Sequence, residues 1–106
     1  MNPIQLNDLP EREIVPGYHA RFVHSEHMTI AYWRIEAGAT LQQHAHPHEQ
    51  VLNLLEGEFE ATVAGQIFHL TPGSVAVIPG SVPHSGKALT ACRIMDVFYP
   101  VREEYR

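Results

Sequence analysis

The sequence predicts an all-β fold, a single-domain barrel of about eight short strands. Three observations carry that expectation. Apolar and polar residues alternate with a period of two in "EFEATV", where Phe59, Ala61 and Val63 interleave with Glu58, Glu60 and Thr62. A half-buried strand needs this pattern because successive side chains leave opposite faces. Turn formers fall at short, fairly regular intervals, "VPG" at 15–17, "EAG" at 36–38, "EG" at 56–57, "AG" at 64–65, "TPG" at 71–73 and "IPG" at 78–80, as in a sandwich or barrel. No window carries a helical period of 3.6.

In chain order, residues 1–14 are expected as an arm or edge strand packed on the outside or on a neighbouring subunit, and 15–106 as the barrel. The candidate strands are "YHARFVH", "MTIAYWRIE", "QVLNLL", "EFEATV", "QIFHL", "SVAVI" and "CRIMDVFY", all rich in β-branched and aromatic residues. The link "VAGQ" is expected to close a hairpin between 58–63 and 66–70. The chain has no internal repeat, low-complexity tract or linker.

At 106 residues there is room for one core. With 44% hydrophobic and 18% charged residues the composition is that of a soluble globular protein. No run approaches the roughly 18 apolar residues of a membrane span. Twelve acidic against seven basic side chains, with no basic cluster, argue against a nucleic-acid partner. The N-terminus lacks the charged start and apolar run of a secretory signal. With Cys92 as the single cysteine, a reducing, cytoplasmic setting is expected, Cys92 being a small core residue.

Chemistry concentrates in "HAHPHEQ", residues 44–50. Alternate strand positions share a face, so His44 and His46 can point together into a barrel and grip one metal. Further ligands are expected from Gln50 and from His84 in "IPGSVPHSG". Glu49 has the opposite parity to Gln50, and Pro47 separates His48 from the preceding pair, so neither is expected as a ligand. His19, His24, His27 and His69 are read as surface or hydrogen-bonded residues.

These residues resemble the cupin motifs. Gly38, His44, His46, Gln50 and Gly57 occupy the fixed positions of the first, and Gly73, Pro79 and His84 those of the second. Gln50 stands where many cupins have glutamate, and Ser81 and Ala88 replace a glycine and an asparagine common in the second motif. The resemblance implies a double-sheet jelly-roll barrel, the cupin double-stranded β-helix. A neutral amide at Gln50 leaves a divalent ion with its full charge, which favours anionic ligands and Lewis acidity over tight retention. Ni, Zn, Fe and Mn all suit three histidines and an amide.

In "CRIMDVFYPVREEY", Ile94, Asp96 and Phe98 share one face, which sets a lone carboxylate among apolar neighbours if that face is inward. Arg102 then falls near the barrel mouth, where its planar fork can clamp a carboxylate. The competing reading pairs Asp96 with Arg93 or Arg34 and leaves Arg102 a solvated tail residue.

Together, "HAHPHEQ", "IPGSVPH" and "DVFYPVREEY" resemble the small single-domain cupins that linearise unsaturated uronates from pectin and alginate breakdown. The resemblance implies a divalent metal on His44, His46, Gln50 and His84, with Asp96, Phe98 and Arg102 as the catalytic and substrate-contacting set. The expected reaction converts a cyclic 4,5-unsaturated uronate, a small anionic sugar, to the linear 4-deoxy-5-keto form. Asp96 would move the proton, Arg102 anchor the carboxylate and Phe98 pack on the ring. The alternatives are another metal-dependent cupin enzyme, such as a dioxygenase or isomerase, or a noncatalytic sugar-binding module. A homodimer is expected, formed through the arm and the outward Met95, Val97 and Tyr99.

Overall fold

The computed structural model describes residues 1–106 as ten antiparallel strands in two facing sheets, with a 3-10 turn near each end at Leu6–Asp8 and Glu103–Tyr105. In chain order the strands are β1 (Arg12–Val15), β2 (Tyr18–His24), β3 (Thr29–Ile35), β4 (Thr40–His44) and β5 (Glu49–Glu56). They continue with β6 (Phe59–Val63), β7 (Gln66–Leu70), β8 (Val75–Ile78), β9 (His84–Ala88) and β10 (Cys92–Tyr99). One sheet has the order β1-β2-β3-β10-β5-β8 and the other β4-β9-β6-β7. This is an all-β jelly roll, and no helix is long and apolar enough to cross a membrane.

Alternation decides which face is inward. β3 buries Thr29, Ala31, Trp33 and Ile35, and β10 buries Cys92, Ile94, Asp96 and Phe98. Between the sheets these side chains, apart from Thr29 and Asp96, meet Leu52, Leu54 and Phe59 in one core cluster. Each large apolar side chain removed from water contributes about 1.5–3 kcal/mol. β10 lies between β3 and β5, with Asp96 registered against Ala31 on one side and Leu52 on the other.

The strand count exceeds the expected eight because β1, β4 and β9 give little sequence signal. β4 reads "TLQQH" and β9 "HSGKA", neither with clean alternation, and β1 overlaps the end of the expected arm, where Arg12 and Glu13 pair with Ala20 and His19. The 63–66 hairpin forms as expected, with Val63 opposite Gln66 and positive φ at both central residues, +50° at Ala64 and +79° at Gly65. The motif glycine Gly57 holds φ +88°, and a Cβ there would strike the Ala91 carbonyl oxygen.

On the outer face of the six-stranded sheet, Val77, Val51, Val97, Ile30 and Val23 stand in register, one apolar row across five strands. Val77 is 62% exposed, and Leu55 and Tyr99 nearby are also exposed.

Candidate metal centre and its cavity

Three histidines converge at one end of the sandwich. His44 ends β4 and His84 begins β9, and the two are cross-strand partners with ring centroids 4.3 Å apart. His46 belongs to the connection after β4 rather than to a strand shared with His44, so the expected two-residue periodicity is not what aligns the pair. The ring nitrogens available from His44, His46 and His84 lie within 4.8 Å of one another. Gln50, near the start of β5, reaches the group from the opposite sheet, its Oε1 3.1 Å from His46 Nε2.

The tautomers follow from the backbone. The Nδ1–H groups of His44, His46 and His84 donate to the carbonyls of Gln42 (2.9 Å), His48 (3.0 Å) and Val82 (2.9 Å). Each Nε2 therefore carries a lone pair, the arrangement that second-shell carbonyls impose on metal-binding histidines. His84 Nε2 is buried without a hydrogen-bond partner. Burial, reinforced by Arg102 and His84, pushes His46 down to about 4, and His84 is lowered chiefly by burial. Three imidazoles and an amide oxygen, gathered and underused, fit a divalent cation of the N/O-binding type. His44, His46, His84 and Gln50 would hold it.

Glu49 is exposed and His48 half-buried beside His46, their ring centroids 5.6 Å apart. The remaining histidines hydrogen-bond or pair at the surface. His19 meets Glu36, His24 bridges Thr29 and the Tyr105 carbonyl, His27 sits beside Glu26 and His69 pairs with Glu58.

Below the histidines lies a cavity of about 210 Å³ with largely apolar walls. His44, Gln50, His84, Asp96, Phe98 and Arg102 all line it, and His46 packs edge-on to Phe98, with ring centroids 5.7 Å apart. Arg34 engages Glu11 and Arg93 lies near Glu56, so neither arginine pairs with Asp96. Burial raises the Asp96 carboxyl to about 7, against the pull of Gln50, Trp33 and Arg102. Its Oδ1 has no hydrogen-bond partner.

Arg102 is not a solvated tail residue. Its side chain is only 11% exposed, its guanidinium lies 4.8 Å from the Phe98 ring centroid and 4.5 Å from that of Tyr105, and Nε donates to Glu104. The cavity also takes in Tyr18, Trp33 and Tyr105, which the sequence reasoning did not single out. Inward parity on β2 and β3 marks Tyr18 and Trp33. Tyr105 has no local signal, because it is positioned by stacking on Phe22 at 4.4 Å across the chain.

A facing pair of antiparallel sheets with three histidines gathered at one end defines a β-sandwich with a candidate metal site. Residues 31–98 match the cupin domain, and the chain belongs to that family. A structural likeness extends over 94% of this chain and 91% of an RmlC-like cupin from Shewanella frigidimarina, with a TM-score of 0.90 and 29% identity. KdgF from Halomonas sp. shares the fold over 94% of both chains, with a TM-score of 0.89 and 24% identity. The uncharacterized protein SCO3923 of Streptomyces coelicolor is 26% identical over 102 residues, 94% of this chain and 97% of that protein.

Proposed function

We propose that this protein is a metal-dependent enzyme that opens cyclic 4,5-unsaturated uronates to the linear 4-deoxy-5-keto form. The observation that carries the reading is the meeting of Asp96, Phe98 and Arg102 with the histidine–glutamine cluster around one cavity. Its volume of about 210 Å³ falls below the roughly 300–1,000 Å³ of drug-sized pockets and suits a monosaccharide. The resemblance of the "DVFYPVR" segment and the two motifs to uronate-linearising cupins supplies the substrate class.

The reaction is an isomerisation. The anomeric hydroxyl loses its proton as the bond from C1 to the ring oxygen breaks, C1 becomes an aldehyde, the ring oxygen stays on C5 as a ketone, and C4 gains a proton. A proton carrier is the main chemical need, and Asp96, with a carboxyl held near 7, can both accept and return one. Arg102 has a rigid, stacked guanidinium to hold the C6 carboxylate, and Phe98 offers a flat apolar surface to the sugar ring. A divalent ion, when bound, supplies Lewis-acid polarisation of a substrate oxygen.

The test follows the ultraviolet absorbance of the C4=C5 bond of enzymatically generated 4,5-unsaturated galacturonate, with and without prior chelation. Faster loss than the spontaneous baseline, abolished by chelation, is expected. Loss at the baseline rate with Ni, Zn, Mn or Fe each added overturns the reading.

A further inference from the structure

Three buried side chains around the cavity each have a polar atom without a well-formed hydrogen bond in the protein, Tyr18 Oη, Trp33 Nε1 and Asp96 Oδ1, although the Trp33 indole lies close enough to Asp96 to help hold its carboxyl down. Their residues are 3%, 9% and 6% exposed. Buried polar groups are nearly always satisfied, so three orphans lining one cavity point to a shared partner that enters it.

The three belong to one wall. Tyr18 begins β2, Trp33 lies in β3 and Asp96 in β10, successive strands of the six-stranded sheet. Trp33 is registered against Ile94, two residues before Asp96, and the Tyr18 ring meets Trp33 edge-on at 5.9 Å. Burial above all, with Cys92 and Asp96 adding to it, keeps the Tyr18 phenol protonated, so its O–H is available to donate. The indole N–H can only donate, and the unpartnered Asp96 Oδ1 can accept.

Two donors and one acceptor match a single alcohol group, whose oxygen has two lone pairs and one proton. A ligand carboxylate at this point would bring no proton for Asp96 Oδ1, and an ammonium would have no lone pair for Tyr18 or Trp33. We propose that Tyr18, Trp33 and Asp96 form a hydroxyl-recognition subsite on the inner wall of the cavity, separate from the carboxylate clamp at Arg102. Placing that hydroxyl on a uronate rests on the function proposed above; the trio's demand for an alcohol does not. The subsite explains how a mostly apolar cavity selects a polyhydroxy acid over a plain one of similar size.

Trp33 is the only tryptophan of the chain, so its fluorescence reports from the subsite itself. The protein as purified is titrated with D-galacturonate, which lacks the C4=C5 bond, and with tetrahydropyran-2-carboxylate, which keeps the ring and acid but lacks the hydroxyls. Galacturonate is expected to shift the Trp33 emission and to bind at least about tenfold more tightly than the deoxygenated acid. Tyr18→Phe should weaken galacturonate about tenfold and leave tetrahydropyran-2-carboxylate unchanged. Trp33→Phe, read by calorimetry, should give the same selective loss, which keeps the test open if Tyr18→Phe does not fold. Emission unmoved by galacturonate, as when a permanently held water satisfies the trio, overturns the subsite. Equal weakening of both acids by the variants overturns it too. Selective galacturonate binding with no acceleration of C4=C5 loss leaves the subsite standing and removes the uronate reaction. Turnover with an unmoved Trp33 does the reverse.

Discussion

His46 Nε2 and Gln50 Oε1 face each other across 3.1 Å, a nitrogen lone pair opposite an oxygen lone pair in a buried setting. A shared cation would resolve that opposition. Gln50→Glu is expected to tighten divalent-ion binding by about tenfold or more, because a carboxylate offsets charge that an amide does not. Competition against a graded chelator series checks this, and an unchanged affinity removes Gln50 from the ligand set.

Asp96→Asn should lower turnover of the unsaturated uronate by about 10² to 10⁴ while bound metal, measured by elemental analysis, stays at wild-type level. The same variant should be the more stable protein in alkaline solution. A buried carboxyl raised to about 7 favours its neutral form in the fold, so its destabilising charge develops as pH rises from about 4 to 7 and is fully present above. Thermal unfolding of metal-free protein at pH 8 tests that half of the statement, and a variant no more stable than wild type contradicts it.

Arg102→Ala should raise KM about tenfold or more with a smaller change in kcat, as expected for loss of a binding clamp. Arg102→Lys should recover only part of the loss, because an ammonium lacks the planar fork that stacks on Phe98 and Tyr105. Steady-state kinetics decide it: an unchanged saturation curve in Arg102→Ala refutes the clamp.

Away from the site, the Arg34 guanidinium beside Glu11 holds the Glu11 carboxyl below its ordinary value. That stabilisation is present above the unfolded-state carboxylate range and is lost as pH falls through the lower, folded value. Glu11→Gln is therefore expected to reduce the urea midpoint at pH 7, on the order of a few tenths molar, and to match wild type near pH 2. A difference that persists in acid assigns the effect to packing instead.

The homodimer expected from the outward Met95, Val97 and Tyr99 would seat a second copy on the outer face of the six-stranded sheet. The row from Val77 to Val23 spans about 20 Å at the usual strand spacing. A stable pair buries about 800 Å² on each partner, so the row needs the N-terminal arm beside it. Val97→Arg, at the row's centre, should shift the protein to monomer in sedimentation, and a dimer unaffected by it rules this face out.

The convergence of His44, His46, Gln50 and His84 was legible because each of them sits at a fixed distance from a turn that the chain makes there. Gly57 shows what holds such a turn in place: its left-handed backbone and the carbonyl of Ala91 leave no room for a side chain. Ser81 holds φ +66°, the conformation that a glycine would adopt more easily at this motif position. Asp96 and Phe98 followed from parity along β10. What stayed hidden was long-range. β4 and β9 are recognisable only from their pairing, which brings His44 opposite His84. Tyr105 reaches the cavity by stacking on a ring 83 positions earlier in the chain, at Phe22. No local pattern encodes either contact.

His44 and His84 belong to one sheet and Gln50 to the other. An ion held among them would fasten the two layers at their open end, like a rivet through two plates. Its binding energy would then count toward folding, and the supply of metal in the surroundings would set how often that end of the sandwich gapes.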